Sequence, residues 1–102
     1  MNYIHQKRPT KIPTTDNKEI HEHFGRAATA SSDVSVAHMV APAGWYEPAQ
    51  TPEFDEYTLM VRGKKRVKIG DREIDLSAGE SLFVSKGTTV RYSNPFDVEA
   101  EY

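Results

Sequence analysis

The chain has 102 residues, a formal net charge of −2 and no cysteine. This length suits one domain, because domains are most often about 100 to 150 residues long. The weakly negative charge argues against a nucleic-acid partner, and the lack of cysteine excludes disulfide bonds and thiolate chemistry. No segment approaches the roughly 20 apolar residues of a membrane span, and no signal-peptide pattern is present. We therefore expect a cytoplasmic protein with no membrane partner.

Residues 1–33 form the first predicted segment, an N-terminal arm with a short helical turn. This region is polar and shows no sustained hydrophobic period. Asp16 or Asn17 is suited to cap a helical turn that would run from Glu19 to Phe24.

Residues 34–102 form the second predicted segment, an all-β barrel. Short runs of β-branched and aromatic residues alternate there with Gly, Pro and Asn, which is typical of a barrel or sandwich. Gly70 and Asp71 predict a hairpin turn, and Gly79 and Gly87 provide positive-φ positions between strands. The predicted strands are Val34–Val40, Phe54–Val61, Arg66–Ile69, Glu73–Leu76, Ser81–Val84, Thr89–Tyr92 and Val98–Tyr102.

Two groups of residues resemble the two signature motifs of the cupin family. The first runs from Gly44 to Gly63 and contains Glu56, with six residues between Glu56 and the closing glycine. The second consists of Gly79, Gly87 and Asn94 at matching spacings. The resemblance implies an all-β, single-domain cupin, a double-stranded β-helix or jelly-roll barrel in which three histidines and one glutamate hold a divalent metal.

Only the glutamate of that metal set is present. The positions of the three histidines are occupied by Gln50, Pro52 and Val90, or by Ala49, Thr51 and Val90 under the longer spacing, and Ser85 replaces a proline. Because valine has no donor atom, we expect no three-histidine centre. A divergent divalent-metal site from Gln50, Glu56 and His38 stays open, and so does a barrel without a cofactor.

Alternation along the strand predicts which side chains meet inside the barrel, since successive side chains point to opposite faces. The inward set is Phe54, Glu56, Thr58 and Met60, and the outward set is Asp55, Tyr57, Leu59 and Val61. Val90 and Tyr92 of the second motif would face the inward set.

Glu56 is the candidate catalytic residue, a general acid or base in the pocket. Buried carboxylates need a partner, so Glu56 could instead be a structural carboxylate held by Tyr92, Thr58 or an arginine. The candidate ligand-binding residues are Trp45, Tyr46, Glu47, Gln50, Glu53 and Tyr92. Aromatic rings with a polar atom suit sugars and ring ligands, although Trp45, Tyr46 and Phe54 could also close the barrel end as core.

The outward stripe of Tyr57, Leu59 and Val61 is too apolar for a fully solvated surface and predicts a homodimer. The resemblance also implies dimers, often with an exchanged N-terminal strand, for which Met1 to Ile12 is the candidate.

Two further patterns predict little chemistry. His21 and His23 have the His-x-His spacing of the family but precede the first motif. The basic run of Arg62, Lys64, Lys65, Arg66 and Lys68 is most simply a solvated strand face, without the interleaved aromatics of a nucleic-acid platform.

Within the family, the Pro52–Tyr57 run looks closest to ethanolamine-utilisation-type cupins, which also lack the usual histidines. We expect a barrel that binds a small molecule, a sugar or an organic acid, in a pocket around Glu56. Whether it is an enzyme stays open; if it is, we expect non-redox chemistry of the isomerase or lyase type. The alternatives are a divergent metal-dependent cupin and a non-catalytic ligand sensor or assembly protein.

Overall fold

The computed structural model describes residues 2–102, which divide into two compact units. The first unit extends to Met39, and the second extends from Val40 to Tyr102. Both consist mainly of antiparallel strands, so the predicted all-β class is confirmed. No helix among residues 2–102 is long and apolar enough to cross a membrane.

The first unit contains a β-hairpin, one short helix and the start of a third strand. Strand β1 (Thr10–Ile12) pairs antiparallel with β2 (Glu19–Phe24), with Ile12 opposite Ile20. Helix α1 (Arg26–Thr29) follows, and β3 (Val36–Ala41) lies next to β2 and continues into the second unit.

The prediction of a helical turn from Glu19 to Phe24 is wrong, because these residues form strand β2. Asn17 adopts a left-handed conformation with φ of 66°, and the Lys18 amide donates to the Asp16 carboxylate at 3.2 Å. These two residues therefore turn the chain between β1 and β2 instead of capping a helix. The arm proposed for exchange includes β1, which pairs within its own chain, while Met1 lies outside the described residues.

The second unit has two sheets. Its strands are β4 (Glu56–Leu59), β5 (Lys64–Ile69), β6 (Arg72–Ser77), β7 (Ser81–Val84), β8 (Val90–Ser93) and β9 (Ala100–Glu101). Strand β4 pairs with β7, and β5 lies between β6 and β8. The last two residues of β3 pair with β9, so that Ala41 lies opposite Ala100.

The core of the second unit lies between these strands. Side chains from every sheet converge there, as expected for a β-barrel. The buried cluster consists of Ala41, Trp45, Met60, Val67, Leu76, Val90, Tyr92 and Ala100.

The alternation predicted for β4 is confirmed from Glu56 onward. Glu56 and Thr58 are half-buried and Met60 is buried, whereas the intervening Tyr57, Leu59 and Val61 are exposed. The inward position predicted for Phe54 is wrong: its side chain is 62% exposed, because it precedes the first paired residue of β4 and no strand fixes its direction.

Candidate functional site

Glu56 and Tyr92 meet across the inside of the second unit. The Tyr92 hydroxyl donates a hydrogen bond of 2.9 Å to Glu56 Oε1, so the expected contact between the two motifs is present. Alternation on β4 turns Glu56 inward, and β8 turns Tyr92 inward from its pairing position opposite Val67. The contact is compatible with both interpretations of Glu56. Tyr92 would be its partner whether Glu56 is a structural carboxylate or a functional group in the pocket.

The phenol of Tyr92 is held in its protonated form. Burial is the largest effect that raises the pKa of Tyr92, followed by the negative charge of Glu56, the hydrogen bond to Glu56 and the charge of Glu47. A protonated phenol is a hydrogen-bond donor, so Tyr92 orients the Glu56 carboxylate through the hydrogen bond to its Oε1 atom.

Lys65 is a site residue that the sequence analysis missed. It is only 3% exposed, and its Nζ lies 4.0 Å from the centroid of the Tyr92 ring and 3.7 Å from that of Tyr102. An ammonium over aromatic faces is stabilised by a cation–π interaction. The signal was present in the strand alternation, since Lys65 shares the inward face of β5 with Val67 while Lys64 and Lys68 are exposed.

Trp45 and Tyr46, both predicted to bind ligand, point in different directions. Trp45 is 4% exposed and belongs to the core, which is the alternative that the sequence left open. Tyr46 is 67% exposed, with the Arg91 guanidinium 5.8 Å from its ring centroid. The two aromatic side chains therefore do not form a common stacking surface.

The proline-rich segment before β4 forms a polar rim along β8. Gln50 exchanges two backbone hydrogen bonds with Val90, at 2.9 and 2.8 Å, and its side-chain Nε2 donates to Glu47 Oε1 at 2.9 Å. Arg91 Nε donates to the Glu47 carbonyl at 3.1 Å. Glu53 is exposed. Glu47 is the rim residue that reaches the site electrostatically, because its charge contributes to the raised pKa of Tyr92.

The residues present do not fit a three-histidine metal centre. Val90 is 1% exposed and packs in the core. Within residues 2–102, no group of three or more His, Asp and Glu side chains is arranged to hold a metal ion. The set of Gln50, Glu56 and His38 stays a prediction: Gln50 and Glu56 lie in the second unit and His38 in the first.

His21 and the members of the basic run other than Lys65 have ordinary surroundings, whereas the prediction of a solvated face is wrong for Lys65, which is buried. His21 Nε2 lies 3.4 Å from Glu19 Oε1, and its ring centroid is 6.2 Å from that of His38. Arg66 forms two hydrogen bonds to Asp75, at 2.9 and 3.2 Å, and these bonds lower the pKa of Asp75. Pairs of this kind on an exposed strand face are typical of a solvated surface.

Comparison with known proteins places the fold in a family. The model of the cupin domain, Cupin_2, matches residues 37–102. KdgF from Halomonas superposes with a TM-score of 0.75 at 12% identity, covering 90% of this chain and 79% of that one. EutQ from Clostridium difficile superposes with a TM-score of 0.66 at 18% identity, covering 96% of this chain and 69% of that one. A predicted oxalate decarboxylase from Thermotoga maritima superposes with a TM-score of 0.72 at 17% identity, covering 92% of this chain and 86% of that one.

One curated relative is more similar in sequence. It is the endoribonuclease YbeY of Myxococcus xanthus, which is 39% identical over 101 residues. These residues are 99% of this chain but 34% of that protein, so the chain spans about a third of the length of its relative. The match of the domain model over residues 37–102, together with the shared fold of these structures, shows that the chain belongs to the cupin family.

Proposed function

We propose that this cupin binds a small polar metabolite, a sugar or an organic acid, at Glu56 and Tyr92, and that its chemistry is proton transfer of the isomerase or lyase type. The observation that carries the proposal is the 2.9 Å hydrogen bond from the Tyr92 hydroxyl to Glu56 Oε1 inside the barrel. Cupin folds with similar topology include KdgF and EutQ, which supports a ligand-binding barrel in general terms.

The chemistry follows from the protonation states of the two groups. Tyr92 keeps its proton because burial and the nearby carboxylates raise its pKa. The carboxylate of Glu56 is then the basic member of the pair, oriented through Oε1, and Oε2 can accept a proton from a ligand hydroxyl or an acidic C–H. While Glu56 is unprotonated, the neutral Tyr92 hydroxyl donates a hydrogen bond that stabilises the negative charge of the carboxylate.

Glu56→Gln tests this proposal. The amide oxygen can still accept from Tyr92, so the fold should be kept, but the negative charge and the basic oxygen are lost. A thermal-shift screen over sugars and organic acids should give ligands that stabilise the wild type, and the variant should bind them about tenfold more weakly or worse. Glu99→Gln, at an exposed carboxylate, is the matched control and should respond like the wild type. An undiminished response of Glu56→Gln would remove Glu56 from the site.

A second candidate function is assembly, and it is favoured by the exposed face of β4. Tyr57 and Phe83 lie opposite each other on β4 and β7, with ring centroids 4.9 Å apart, and both are exposed. Leu59 and Val61 extend this apolar surface. We propose that this face pairs two copies of the chain.

The relative from Myxococcus xanthus supports an accessory role for such a domain. Its remaining two thirds have no counterpart in this chain, so the region that resembles this cupin is one part of a larger endoribonuclease. A cupin of this kind could sense a ligand for a catalytic partner. Ligand binding without turnover by the purified chain would favour this function over the enzyme.

A further inference from the structure

The outer face of the sheet formed by β6, β5 and β8 is a second surface of the same unit, and the proposed function does not use it. Residues that pair directly across antiparallel strands point to the same side of the sheet. Arg66 on β5 lies opposite Asp75 on β6 and Ser93 on β8. An isolated bridge places the exposed Tyr46 opposite Ser93. These side chains therefore form one row across the sheet, on the side away from the buried Val67.

Positive side chains are concentrated on this face. Lys64, Arg66 and Lys68 alternate along β5, so they share its outer side and follow one another at about 7 Å. Arg91 on β8 lies directly opposite Lys68. Like charges in directly opposite positions repel each other. An anion bound between these two side chains would relieve that repulsion.

The carboxylates of the face lie toward its β6 side. Glu73 and Asp75 belong to β6, and Asp75 accepts two hydrogen bonds from Arg66, at 2.9 and 3.2 Å. Strand β8, on the other side of β5, contributes Arg91 and Ser93 to this face and has no carboxylate. The part of the face with excess positive charge therefore extends from β5 across β8 toward the segment that precedes β4.

Two aromatic rings lie among these cations. The centroid of the Phe96 ring is 5.7 Å from Lys64 Nζ and 5.4 Å from Arg66 Cζ. Tyr46 is 67% exposed, and Arg91 Cζ lies 5.8 Å from its ring centroid. Each of these contacts is an ordinary cation–π pair by itself. Both rings stand outside the basic run in the sequence, so only the fold supplies the aromatic groups that the run lacks.

We propose that this face binds single-stranded nucleic acid, with its cations on the phosphates and Tyr46 stacked on a base. Its members, the cationic–aromatic face, are Lys64, Arg66, Lys68, Arg91, Tyr46 and Phe96. Cations that follow the backbone and aromatic rings that stack on bases are the two components of such surfaces. The spacing of alternate side chains on β5 is close to the length of one extended nucleotide. An acidic peptide would match the cations but offer no flat ring to Tyr46, so a nucleic acid is favoured.

The cationic–aromatic face is separate from the proposed site, because Glu56 and Tyr92 point to the inside of the barrel. The net charge of −2, on which the expectation of no nucleic-acid partner rests, is a sum over the whole chain. On this face four cations stand beside two carboxylates. We therefore expect weak binding, with a dissociation constant on the order of 10 to 100 μM at low salt, and a strong dependence on salt.

Fluorescence anisotropy of a labelled oligothymidylate of about twelve nucleotides measures this binding with the full chain. The comparison ligand is an abasic strand of the same length, which has the same phosphates but no bases. We expect the wild type to bind the abasic strand about fivefold more weakly or worse, since stacking is lost. Tyr46→Ala should bring the affinity for oligothymidylate close to that for the abasic strand, and leave the latter unchanged.

Lys68→Gln tests the contribution of the cations. It should weaken the binding of both strands by similar factors. It should also reduce the slope of log affinity against log salt by about 0.7, the value for one phosphate contact on a single strand. Lys86→Gln, at an exposed lysine in the turn between β7 and β8, removes the same charge away from the face and should bind like the wild type.

Four results would overturn the inference. They are equal wild-type affinity for the two strands, wild-type affinity in Tyr46→Ala, an equal loss in Lys68→Gln and Lys86→Gln, and no binding of either strand at low salt. A polyglutamate peptide that competes as well as unlabelled oligothymidylate would also overturn it, in favour of an acidic protein partner. None of these outcomes changes the result expected for Glu56→Gln, so the proposed function stands or falls separately.

Discussion

At the scale of single residues, the site depends on one tyrosine with two contacts. Tyr92 donates to Glu56 by its hydroxyl and receives the Lys65 ammonium on its ring. Asn94, the last residue of the second motif, has a different role. It is completely buried, its amide nitrogen lies 2.9 to 3.2 Å from the carbonyls of Ala41, Pro42 and Val98, and its Oδ1 accepts from the Phe96 amide. Asn94 therefore ties together the backbone segments around residues 41, 42, 96 and 98.

Tyr92 also predicts how stability depends on pH. Because its pKa is raised in the folded state, the native protein keeps a phenol proton that the unfolded chain loses near pH 10. The stabilisation is thus complete below about pH 10, and above it the free energy of unfolding falls by up to about 1.4 kcal/mol per pH unit for this group.

Tyr92→Phe should have a shallower alkaline decline in stability than the wild type, because phenylalanine has no proton to lose. Urea unfolding at several pH values from neutral to strongly alkaline measures the difference. Tyr57→Phe, at a tyrosine that is 79% exposed, is the control and should keep the wild-type slope. Identical slopes for wild type and Tyr92→Phe would contradict the raised pKa.

At the scale of elements, the glycines of the two motifs determine where strands turn. Gly63, between β4 and β5, has φ of 76°, and a Cβ there would collide with the Glu99 carbonyl and lie 3.1 Å from Ala100 Cα. Gly79, between β6 and β7, has φ of 88° but nothing within 4 Å of its virtual Cβ. The two motif glycines are therefore needed for different reasons: close backbone approach at Gly63 and backbone conformation alone at Gly79.

Gly63→Ala should consequently destabilise the protein far more than Gly79→Ala. The second change costs only the left-handed conformation, about 1 to 2 kcal/mol, whereas the first adds a clash with backbone that cannot move without disturbing β9, for a total of about 3 kcal/mol or more. Urea unfolding of both variants gives the comparison. Equal losses would show that the chain near Glu99 shifts freely to accommodate a methyl group.

At the scale of the whole molecule, the exposed apolar face of β4 and β7 is the surface through which we expect two copies of the chain to form a dimer. Leu59 is 61% exposed and Tyr57 is 79% exposed, and an apolar patch of this kind is a typical interaction surface. Leu59→Asp should convert the proposed dimer into monomers, as measured by light scattering after size exclusion. Val98→Asp, at another exposed apolar residue, should leave the dimer unchanged. A dimer that persists in Leu59→Asp would exclude this face.

Much of the barrel could be predicted from the sequence because its signals are local. Strand Ser81–Val84 was predicted with the correct bounds, and the glycines at 70, 79 and 87 all have positive φ. Alternation from Glu56 to Val61 gave the correct buried and exposed faces, since the period of a strand is fixed by backbone geometry. The expectation of no three-histidine centre rests likewise on residue identity, because Val90 has no donor atom.

Only the tertiary structure decided the rest, because it depends on partners distant in sequence. Glu19–Phe24 became a strand since β1 supplies hydrogen-bond partners that a local cap signal does not reveal. In the sequence, Lys65 is one member of a basic run, and only the structure shows that its ammonium contacts the rings of Tyr92 and Tyr102. The sequence by itself determined the cupin frame and the inward Glu56. The long-range packing of β5, β8 and the C-terminal residues determined that this glutamate has a phenol donor, and that the phenol is adjacent to a buried cation.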